Sequence, residues 1–430
     1  MMPFNLPFKP RRFLLSDSQH EAQRLSLVLL ESRGETHGTR TAKQLRKALS
    51  LLDHEEELAY NFWLVEKLGP VAQSLSSSAV AWLAHPDAVR AADVARHAEP
   101  RRQELLRRLN AAPGGTRYLI DWRARLLRHL PSYPELAPLE ADLKHLLASW
   151  FNRGFLILRP ITWDSPARVL DHLIAHEAVH SICGWEDLRG RLEGDRRCYA
   201  FFHPALPDVP IIFVEVALTD TVSDAIAPLL DHPPQRTSPV NPSTAIFYSI
   251  SNCEPGLRGL NFGNFLIKQI TTDLKAEYPS LSTFATLSPV PGFRRWLDAG
   301  GRELVDGANR LERLCAQYLT GKSPDGIDGM PCDPVAAFHL GNGAELWRIN
   351  LDADLSSKGM KQSEGIMVNY LYRDERMVIN HEQFMTAGIV AQSRYVSQLL
   401  KANHRTVTRW PASWMRARNL ITKQEKPTWR

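Results

Sequence analysis

Cysteine is scarce in this sequence: there are five in 430 residues, and no two of them form a C-x-x-C pair. An odd number without such pairs argues against a disulfide scaffold and a structural zinc site, and is typical of a reducing compartment. The longest apolar runs, such as 210–216, are far below the ~20 residues that a membrane-spanning helix needs. Basic residues form no concentrated stripe, which a nucleic-acid-binding domain would more often show. We therefore expect neither a membrane nor a nucleic acid as partner.

The N-terminus carries no recognisable targeting signal. Pro3 and Pro7 interrupt its apolar stretch, and Asp17 and Glu21 come too early for a transit peptide. The fractions of apolar residues (44%) and charged residues (23%) are those of a folded protein, and the net charge of +5 suits an anionic ligand. We expect a cytoplasmic protein of two or three domains.

Residues 1–148 are predicted to form an all-α bundle. Apolar side chains recur with the period of about 3.6 residues that marks a helix buried on one face. Gly69-Pro70 and the breaker at 113–115 separate helical segments. The helical segments are 42–52, 53–68, 101–109, 118–130 and 135–150. No convergent catalytic groups lie here, so a role in support or assembly is the simplest interpretation.

Residues 149–430 are predicted to form an α/β domain. Short stretches rich in β-branched and aromatic residues predict strands, and they alternate with helical patterns. The predicted strands are 155–161, 198–202, 210–216, 245–251, 284–287, 346–350 and 365–372, and the clearest helices are 264–277 and 389–400. The expected fold class is therefore α+β with two domains.

The pentapeptide 176–180 reads H-E-A-V-H, the helical zinc-protease pattern H-E-x-x-H. On a helix, His176 and His180 would lie one turn apart on one face and Glu177 could act as a base. A third ligand is missing, since 181–185 reads S-I-C-G-W. The alternative is a solvated helix face.

The segment 251–264 reads S-N-C-E-P-G-L-R-G-L-N-F-G-N and joins a predicted strand to a predicted helix. Gly256, Gly259 and Gly263 allow tight turns that expose backbone N–H groups, and the dipole of the following helix favours an anion. The spacing fits neither the dinucleotide-binding nor the Walker pattern. The segment is either a site for a pyrophosphate of another kind or an ordinary strand-to-helix turn.

Two further residues, Ser288 and His339, are candidates for a catalytic role. Ser288 ends a predicted strand before a proline-rich turn, without the G-x-S-x-G elbow of a hydrolase. His339 lies in an apolar stretch before a G-N-G turn. Taken alone, Ser288 could be a turn cap and His339 a hydrogen-bonded core histidine.

Together, these segments resemble the malonyl-CoA decarboxylase family. The similarity runs in order across most of 150–375 and is far more specific than any short motif. The segments that carry it are W-F-N-R-G-F-L-I-L (150–158), E-A-V-H (177–180), R-R-C-Y-A-F-F-H (196–203), A-I-F-Y-S-I-S (245–251), G-L-R-G-L-N-F-G-N-F-L-I-K (256–268), L-S-P-V-P-G-F (287–293), F-H-L-G-N-G-A-E-L-W-R-I-N (338–350) and M-V-N-Y-L-Y (367–372).

The resemblance implies a helical N-terminal domain (1–148) for support and oligomerisation and a GNAT-like acyl-CoA domain (149–430). It implies that Ser288 and His339 are catalytic, with Tyr372 as a further candidate, and it removes the zinc interpretation. The loop expected to hold the coenzyme A pyrophosphate comprises Arg258, Gly259, Leu260, Asn261, Phe262, Gly263 and Asn264. Many family members carry a glutamate where this chain has Asn261, and an asparagine can hydrogen-bond but cannot act as a base.

The implied activity is decarboxylation of malonyl-CoA to acetyl-CoA and CO2, in fatty acid metabolism, through a thioester enolate and with no metal or cofactor. A GNAT-fold acyltransferase or a non-catalytic acyl-CoA sensor would share the loop and the fold, and both remain alternatives. The resemblance also implies a homo-oligomer, a dimer or tetramer, with the bundle at the interface.

Overall fold

The computed structural model describes residues 16–32, 34–231, 241–260, 263–299, 310–321, 331 and 333–401. The chain divides into two compact units, Met1–Leu147 and Ala148–Arg430. None of the helices in the described ranges combines the length and the apolar character that crossing a bilayer requires.

The first unit is helical. Local capping explains where some of its helices begin: the Ser16 and Asp53 side chains each accept a hydrogen bond from the backbone N–H three residues on, and Gln19 and Glu56 reciprocate. The helices are α1 (Asp17–Glu31), α2 (Glu35–Ser50), α3 (His54–Lys67), α4 (Ala72–Ala84), α5 (Ala88–Ala98), α6 (Arg101–Ala111), α7 (Gly115–His129) and α8 (Ala137–Trp150), the last of which crosses the division.

The core of the first unit is built mainly from leucines at helical spacing. Each fully buried leucine contributes about 1.5–3 kcal/mol relative to an exposed one. Two pairs of polar groups hydrogen-bond inside this core: the Ser26 and Tyr60 hydroxyls lie 2.7 Å apart, and Trp122 Nε1 donates to Asn61 Oδ1. The buried leucines include Leu25, Leu29, Leu45, Leu64, Leu105, Leu119, Leu126 and Leu143. The predicted helical bundle is confirmed.

The second unit contains a mixed sheet flanked by helices, as the predicted fold class requires. Its strands are β1 (Ile157–Ile161), β2 (Arg196–Phe202), β3 (Ile212–Thr219), β4 (Thr244–Asn252), β5 (Thr283–Thr286), β6 (Ser288–Pro289), β7 (Glu345–Asn350) and β8 (Met367–Tyr372). Its described helices are α9 (Ala167–His176), α10 (Trp185–Leu192), α11 (Ala227–Leu230), α12 (Gly263–Glu277), α13 (Phe293–Asp298), α14 (Arg310–Thr320), α15 (Pro334–Gly341), α16 (Ser357–Ser363), α17 (Asp374–Ala387) and α18 (Arg394–Lys401).

The sheet order creates a cleft beside β4. The strands follow the order β1-β2-β3-β4-β5-β8-β6, with β7 also paired to β8. Every pairing is antiparallel except that of β4 with β5, whose register ends at Phe247 and Thr286. Beyond Phe247, β4 stays paired to β3 as far as Asn252, but β5 has ended. The two parallel strands therefore separate, and the carboxyl-terminal part of β4 borders an opening.

One predicted helix begins at a different residue in the structure, and several described helices, among them α1, α4, α5 and α15, carried no prediction. The late helix begins at Arg394 rather than 389, because Gly388 is in the left-handed conformation that ends α17 and Gln392 forms a bridge to Leu346. The apolar stretch around His339 is a helix, α15. It is short and almost wholly apolar, so it lacks the alternation of polar and apolar faces by which a helix is recognised.

Candidate active site

Ser288, His339 and Tyr372 lie next to one another in the structure. Ser288 Oγ is 3.0 Å from His339 Nε2, and His339 Nδ1 is 2.8 Å from the Tyr372 hydroxyl. The three residues are on β6, α15 and β8, and all three are buried. A serine, an imidazole and a phenol thus form one continuous hydrogen-bonded chain.

Helix α15 holds His339 in place from both ends. At its start, the buried Asp333 carboxylate accepts hydrogen bonds from the N–H groups of Val335 and Ala336. In its last turn, the His339 ring stacks on Tyr370, with 4.6 Å between ring centroids and 24° between planes. The imidazole is therefore fixed in position before any ligand arrives.

The strand that carries Ser288 is interrupted just before it. Phe284 and Ala285 of β5, and then Ser288 of β6, pair with β8, while Leu287 between them belongs to neither strand. Across this interruption, Ser288 Oγ donates a 2.8 Å hydrogen bond to Thr286 Oγ1. Residues two apart on an extended chain share a face, so this contact follows from the local sequence T-L-S.

Sequence analysis missed the residues that support the three predicted ones. Tyr370 and Tyr372 stand in the segment Y-L-Y, and period-2 spacing could have indicated that both rings face His339. Asp333 stands directly before a proline and an apolar run, which is the signature of a helix start. For Thr286, its position two residues before Ser288 on an extended chain could have indicated that the two side chains share a face.

A small cavity opens on the Ser288–His339 pair. Its volume is about 20 Å³, room for about one water molecule, and none of its described lining residues is Lys, Arg, Asp or Glu. A carboxylate placed here loses water and gains no opposite charge, which raises its free energy. Besides Ser288 and His339, the lining comprises Val179, Phe247, Tyr248, Ser249, Ile250, Pro289, Val335 and Phe338.

Burial keeps the hydrogen-bonded chain electrically neutral. It lowers the pKa of the His339 imidazole from 6.5 to about 3, because the cation would lose its hydration. It also raises the pKa of the Tyr372 hydroxyl well above its ordinary value. At neutral pH, the site therefore contains a neutral imidazole between two neutral hydroxyls.

The depressed pKa of His339 predicts a loss of stability in acid. A group whose pKa is lower in the folded state binds fewer protons there, so stability is present above pH 6.5 and falls towards pH 3. Between pH 7 and pH 5, His339 should contribute a loss of about 2 kcal/mol in unfolding free energy. Urea unfolding of wild type and His339→Gln at both pH values measures this loss, with exposed His85→Gln as the control. An identical loss in wild type and His339→Gln would contradict it.

The glycine-bearing loop joins β4 to α12, as predicted. A short 3-10 turn (Pro255–Leu257) precedes Arg258, and Gly259 has a φ of +78°, which favours glycine. Burial lowers the pKa of the Arg258 guanidinium. Helix α12 begins at Gly263 and runs for 15 residues. Asn261 and Phe262 lie outside the described residues, as does the side chain of Asn264.

The pentapeptide 176–180 does not have the geometry of a helical zinc motif. Helix α9 ends at His176, so His176 and His180 are not one helical turn apart. The Glu177 carboxylate instead accepts hydrogen bonds from the hydroxyls of Ser249 and Ser251 on β4. In the part of the chain that the structure describes, no group of three or more His, Cys, Asp or Glu residues could hold a metal ion. The segment is thus neither a zinc helix nor a solvated helix face, but a loop attached to β4.

Comparison with family models gives two matches that together span most of the chain. Residues 154–306 and 302–409 match the malonyl-CoA decarboxylase C-terminal domain. Residues 68–151 match the malonyl-CoA decarboxylase N-terminal domain.

Individual proteins of known family agree. The mitochondrial malonyl-CoA decarboxylase of Anser anser anser is 35% identical over 349 residues, which is 69% of this chain and 69% of that protein. That of Rattus norvegicus is 34% identical over 353 residues, 70% of this chain and 71% of the relative.

Solved structures agree as well. The crystal structure of malonyl-CoA decarboxylase from Rhodopseudomonas palustris is 44% identical, with a TM-score of 0.82, and the match covers 89% of this chain and 100% of that one. For the enzyme from Agrobacterium vitis, the identity is 44% and the TM-score 0.81, over 88% and 99% of the two chains. The chain described here therefore belongs to the malonyl-CoA decarboxylase family.

Proposed function

We propose that this protein is a carboxy-lyase that converts malonyl-CoA to acetyl-CoA and CO2. The observation that carries the proposal is the neutral Ser288–His339–Tyr372 chain at the edge of a small cavity, whose described lining residues include no Lys, Arg, Asp or Glu. Membership of the malonyl-CoA decarboxylase family supports the same reaction.

The reaction breaks the bond between the carboxylate carbon and the α-carbon of the malonyl group. The electron pair left behind delocalises onto the thioester oxygen, and the resulting enolate takes up a proton at carbon. Because the thioester is itself the electron sink, the chemistry requires no metal or organic cofactor, and we propose that none takes part. An apolar cavity favours this step, since the localised charge of the carboxylate passes to the more delocalised enolate as neutral CO2 departs.

Two donors are available for the developing enolate. His339 can donate a hydrogen bond to the thioester oxygen or protonate the enolate carbon, while Ser288 can bind the departing carboxylate or relay the proton. Preorganised donors of this kind commonly contribute a few kcal/mol each, because they need no rearrangement during the reaction.

A CO2-release assay with malonyl-CoA as the sole substrate tests the proposal. We expect acetyl-CoA and CO2 in equal amounts, and an unchanged rate after treatment with EDTA. The same enzyme offered acetyl-CoA and an amine should form no amide. Among the described residues that line its cavity, none has a carboxylate that could accept the amine proton, as an acyltransferase would more often require. Amide formation without CO2 release, or loss of CO2 release in EDTA with recovery in zinc, would contradict the proposal.

We also propose that the loop from Arg258 to Asn264 binds the coenzyme A pyrophosphate. The half-buried Arg258 cation, the left-handed turn at Gly259 and the amino end of the 15-residue helix α12 support this. Together they offer a positive charge, close backbone approach and a helix dipole to one anion.

Replacing Gly259 by valine should weaken binding of coenzyme A at least tenfold. A β-branched residue rarely adopts a φ of +78°, so the loop backbone must shift. Calorimetric titration with coenzyme A measures the change. Gly194→Val is the matched control, because Gly194 also has a positive φ (+65°) but lies between α10 and β2. Equal affinities of Gly259→Val and wild type would place the pyrophosphate elsewhere.

A homo-oligomer, a dimer or tetramer formed through the helical unit, is a further proposal. Its support is the exposed apolar surface of the α4–α5 hairpin, where Val80, Leu83 and Val89 are 64%, 70% and 75% exposed. Burying such side chains against a second copy removes apolar area from water. Analytical ultracentrifugation of the full chain tests this, and a monomer at micromolar concentration would contradict it.

A cytoplasmic location is proposed as well. The four cysteines in the described ranges are free thiols, and Cys198, Cys253 and Cys315 are buried, which suits a reducing compartment. The curated relatives from goose and rat are mitochondrial by name, so the compartment needs its own test. Fractionation of the source cells supplies it, and recovery in an organelle or in the periplasm would contradict the proposal.

A further inference from the structure

We propose that Thr286 is a positioning residue that sets the direction of the hydrogen-bond chain through Ser288, His339 and Tyr372. The inference rests on the proposed decarboxylation and extends it to a residue that does not touch the cavity. In this direction, His339 Nε2 donates a hydrogen bond to Ser288 Oγ.

The direction follows from counting protons. Ser288 has one hydroxyl proton, and its geometry directs that proton to Thr286 Oγ1, 2.8 Å away. The 3.0 Å contact between Ser288 Oγ and His339 Nε2 then needs its hydrogen from the imidazole. A neutral imidazole has one N–H group, so Nδ1 must accept, and the Tyr372 hydroxyl at 2.8 Å is its donor. The chain therefore runs from Tyr372 through His339 and Ser288 to Thr286.

Thr286 is held by contacts with β8, and its Oγ1 already accepts two hydrogen bonds. It is fully buried, and its Oγ1 also accepts the backbone N–H of Tyr370 at 3.2 Å. Its carbonyl oxygen accepts a 2.8 Å hydrogen bond from Asn369 Nδ2. Both lone pairs of Oγ1 are thus engaged as acceptors. The strand that fixes Thr286 is β8, which also supplies Tyr370 beneath the His339 ring and Tyr372 at its Nδ1.

This direction has a consequence for the reaction class. A nucleophilic serine donates its proton to a histidine that acts as a base. Here the serine proton points away from the histidine, so Ser288 is not activated for attack on a thioester. The histidine instead carries its proton on Nε2, where a bound enolate can replace Ser288 Oγ as the acceptor, and this suits protonation of an enolate rather than acyl transfer.

The experiment reads the tautomer of His339 in the full-length protein. We expect long-range ¹H–¹⁵N correlation spectra of histidine-labelled wild type to show Nε2 protonated and Nδ1 unprotonated, with the signal assigned by its loss in His339→Gln. Thr286→Val keeps the branched shape but removes the acceptor. The serine proton should then turn to Nε2, and the proton of His339 should move to Nδ1.

Kinetics supply the second measurement. Thr286→Val should lower kcat about tenfold, the effect of about one hydrogen bond, with KM within twofold of wild type. Thr286→Ser retains the hydroxyl and should restore both the tautomer and kcat. The control is Thr244→Val, another buried threonine of the same sheet, which should change neither.

The outcomes separate this proposal from the proposed function. An Nδ1-protonated His339 in wild type would overturn the direction of the chain, even if no Thr286 variant folds. A fall in kcat of Thr286→Val without a change of tautomer would show a structural role only and would overturn it too. The expected tautomer in a protein that releases no CO2 would support the direction and contradict the reaction.

Discussion

Alanine in place of His339 is expected to lower kcat for CO2 release about 10²–10⁴-fold, the range typical of a general acid–base group. The imidazole is fixed by its stacking on Tyr370 and by its contacts with Ser288 and Tyr372. Its hydrogen bond strengthens as charge develops on the enolate, so its loss raises the free energy of the transition state more than that of bound substrate. KM should change by less than kcat, and coenzyme A should bind as before.

Steady-state kinetics with malonyl-CoA and calorimetric titration with coenzyme A measure the two quantities separately. His203→Ala is the control, since His203 is a partly buried histidine of the same unit that contacts Trp150 rather than the cavity. Near-normal turnover of His339→Ala would remove the histidine from the mechanism. An equal loss in coenzyme A binding would point to misfolding of the cavity instead.

Replacing Ser288 by alanine should cause the second largest loss, about 10²-fold or more, at the same step. The serine hydroxyl is the polar group between His339 Nε2 and the cavity, and without it the imidazole loses its hydrogen-bond partner there. Loss of a group that relays a proton commonly costs 10²–10⁴-fold in kcat.

The double variant decides whether the two residues act together. If they form one unit, Ser288→Ala combined with His339→Ala should be little slower than the slower single variant. Single-turnover CO2 release from enzyme-bound malonyl-CoA measures the step without interference from product release. Losses that multiply fully would mean that the serine and the histidine act independently.

Family similarity and elementary chemistry predicted the three site residues, but not what holds them. Ser288 and His339 are 51 residues apart in sequence, and His339 and Tyr372 are 33 apart. A sequence pattern that spans a few residues cannot predict a contact between residues so far apart in the sequence. Thr286, Tyr370 and the cap at Asp333 act only through these long-range contacts, so their roles are visible once the sheet is assembled.

The pentapeptide H-E-A-V-H shows the limit of a short motif. Its spacing fits a zinc-binding helix, yet the chain leaves the helix at His176. The free energy that decides this lies outside the motif: Glu177 is bound by Ser249 and Ser251 of β4, more than seventy residues further along the chain. These hydrogen bonds to a partly buried carboxylate favour the loop over one more turn of helix.

The sequence by itself determined the helical character of the first unit and five of its eight described helices, most strands of the second unit and the strand–loop–helix around Gly259, because periodicity, breakers and caps act over a few residues. Only the tertiary structure decided the separation of β4 from β5, the break in pairing at Leu287 and the neutral chain from Tyr372 to Thr286. These depend on the register between strands that are distant in sequence and on the loss of water around His339. Neither the strand register nor the dehydration of His339 can be predicted from residues that are close together in the sequence.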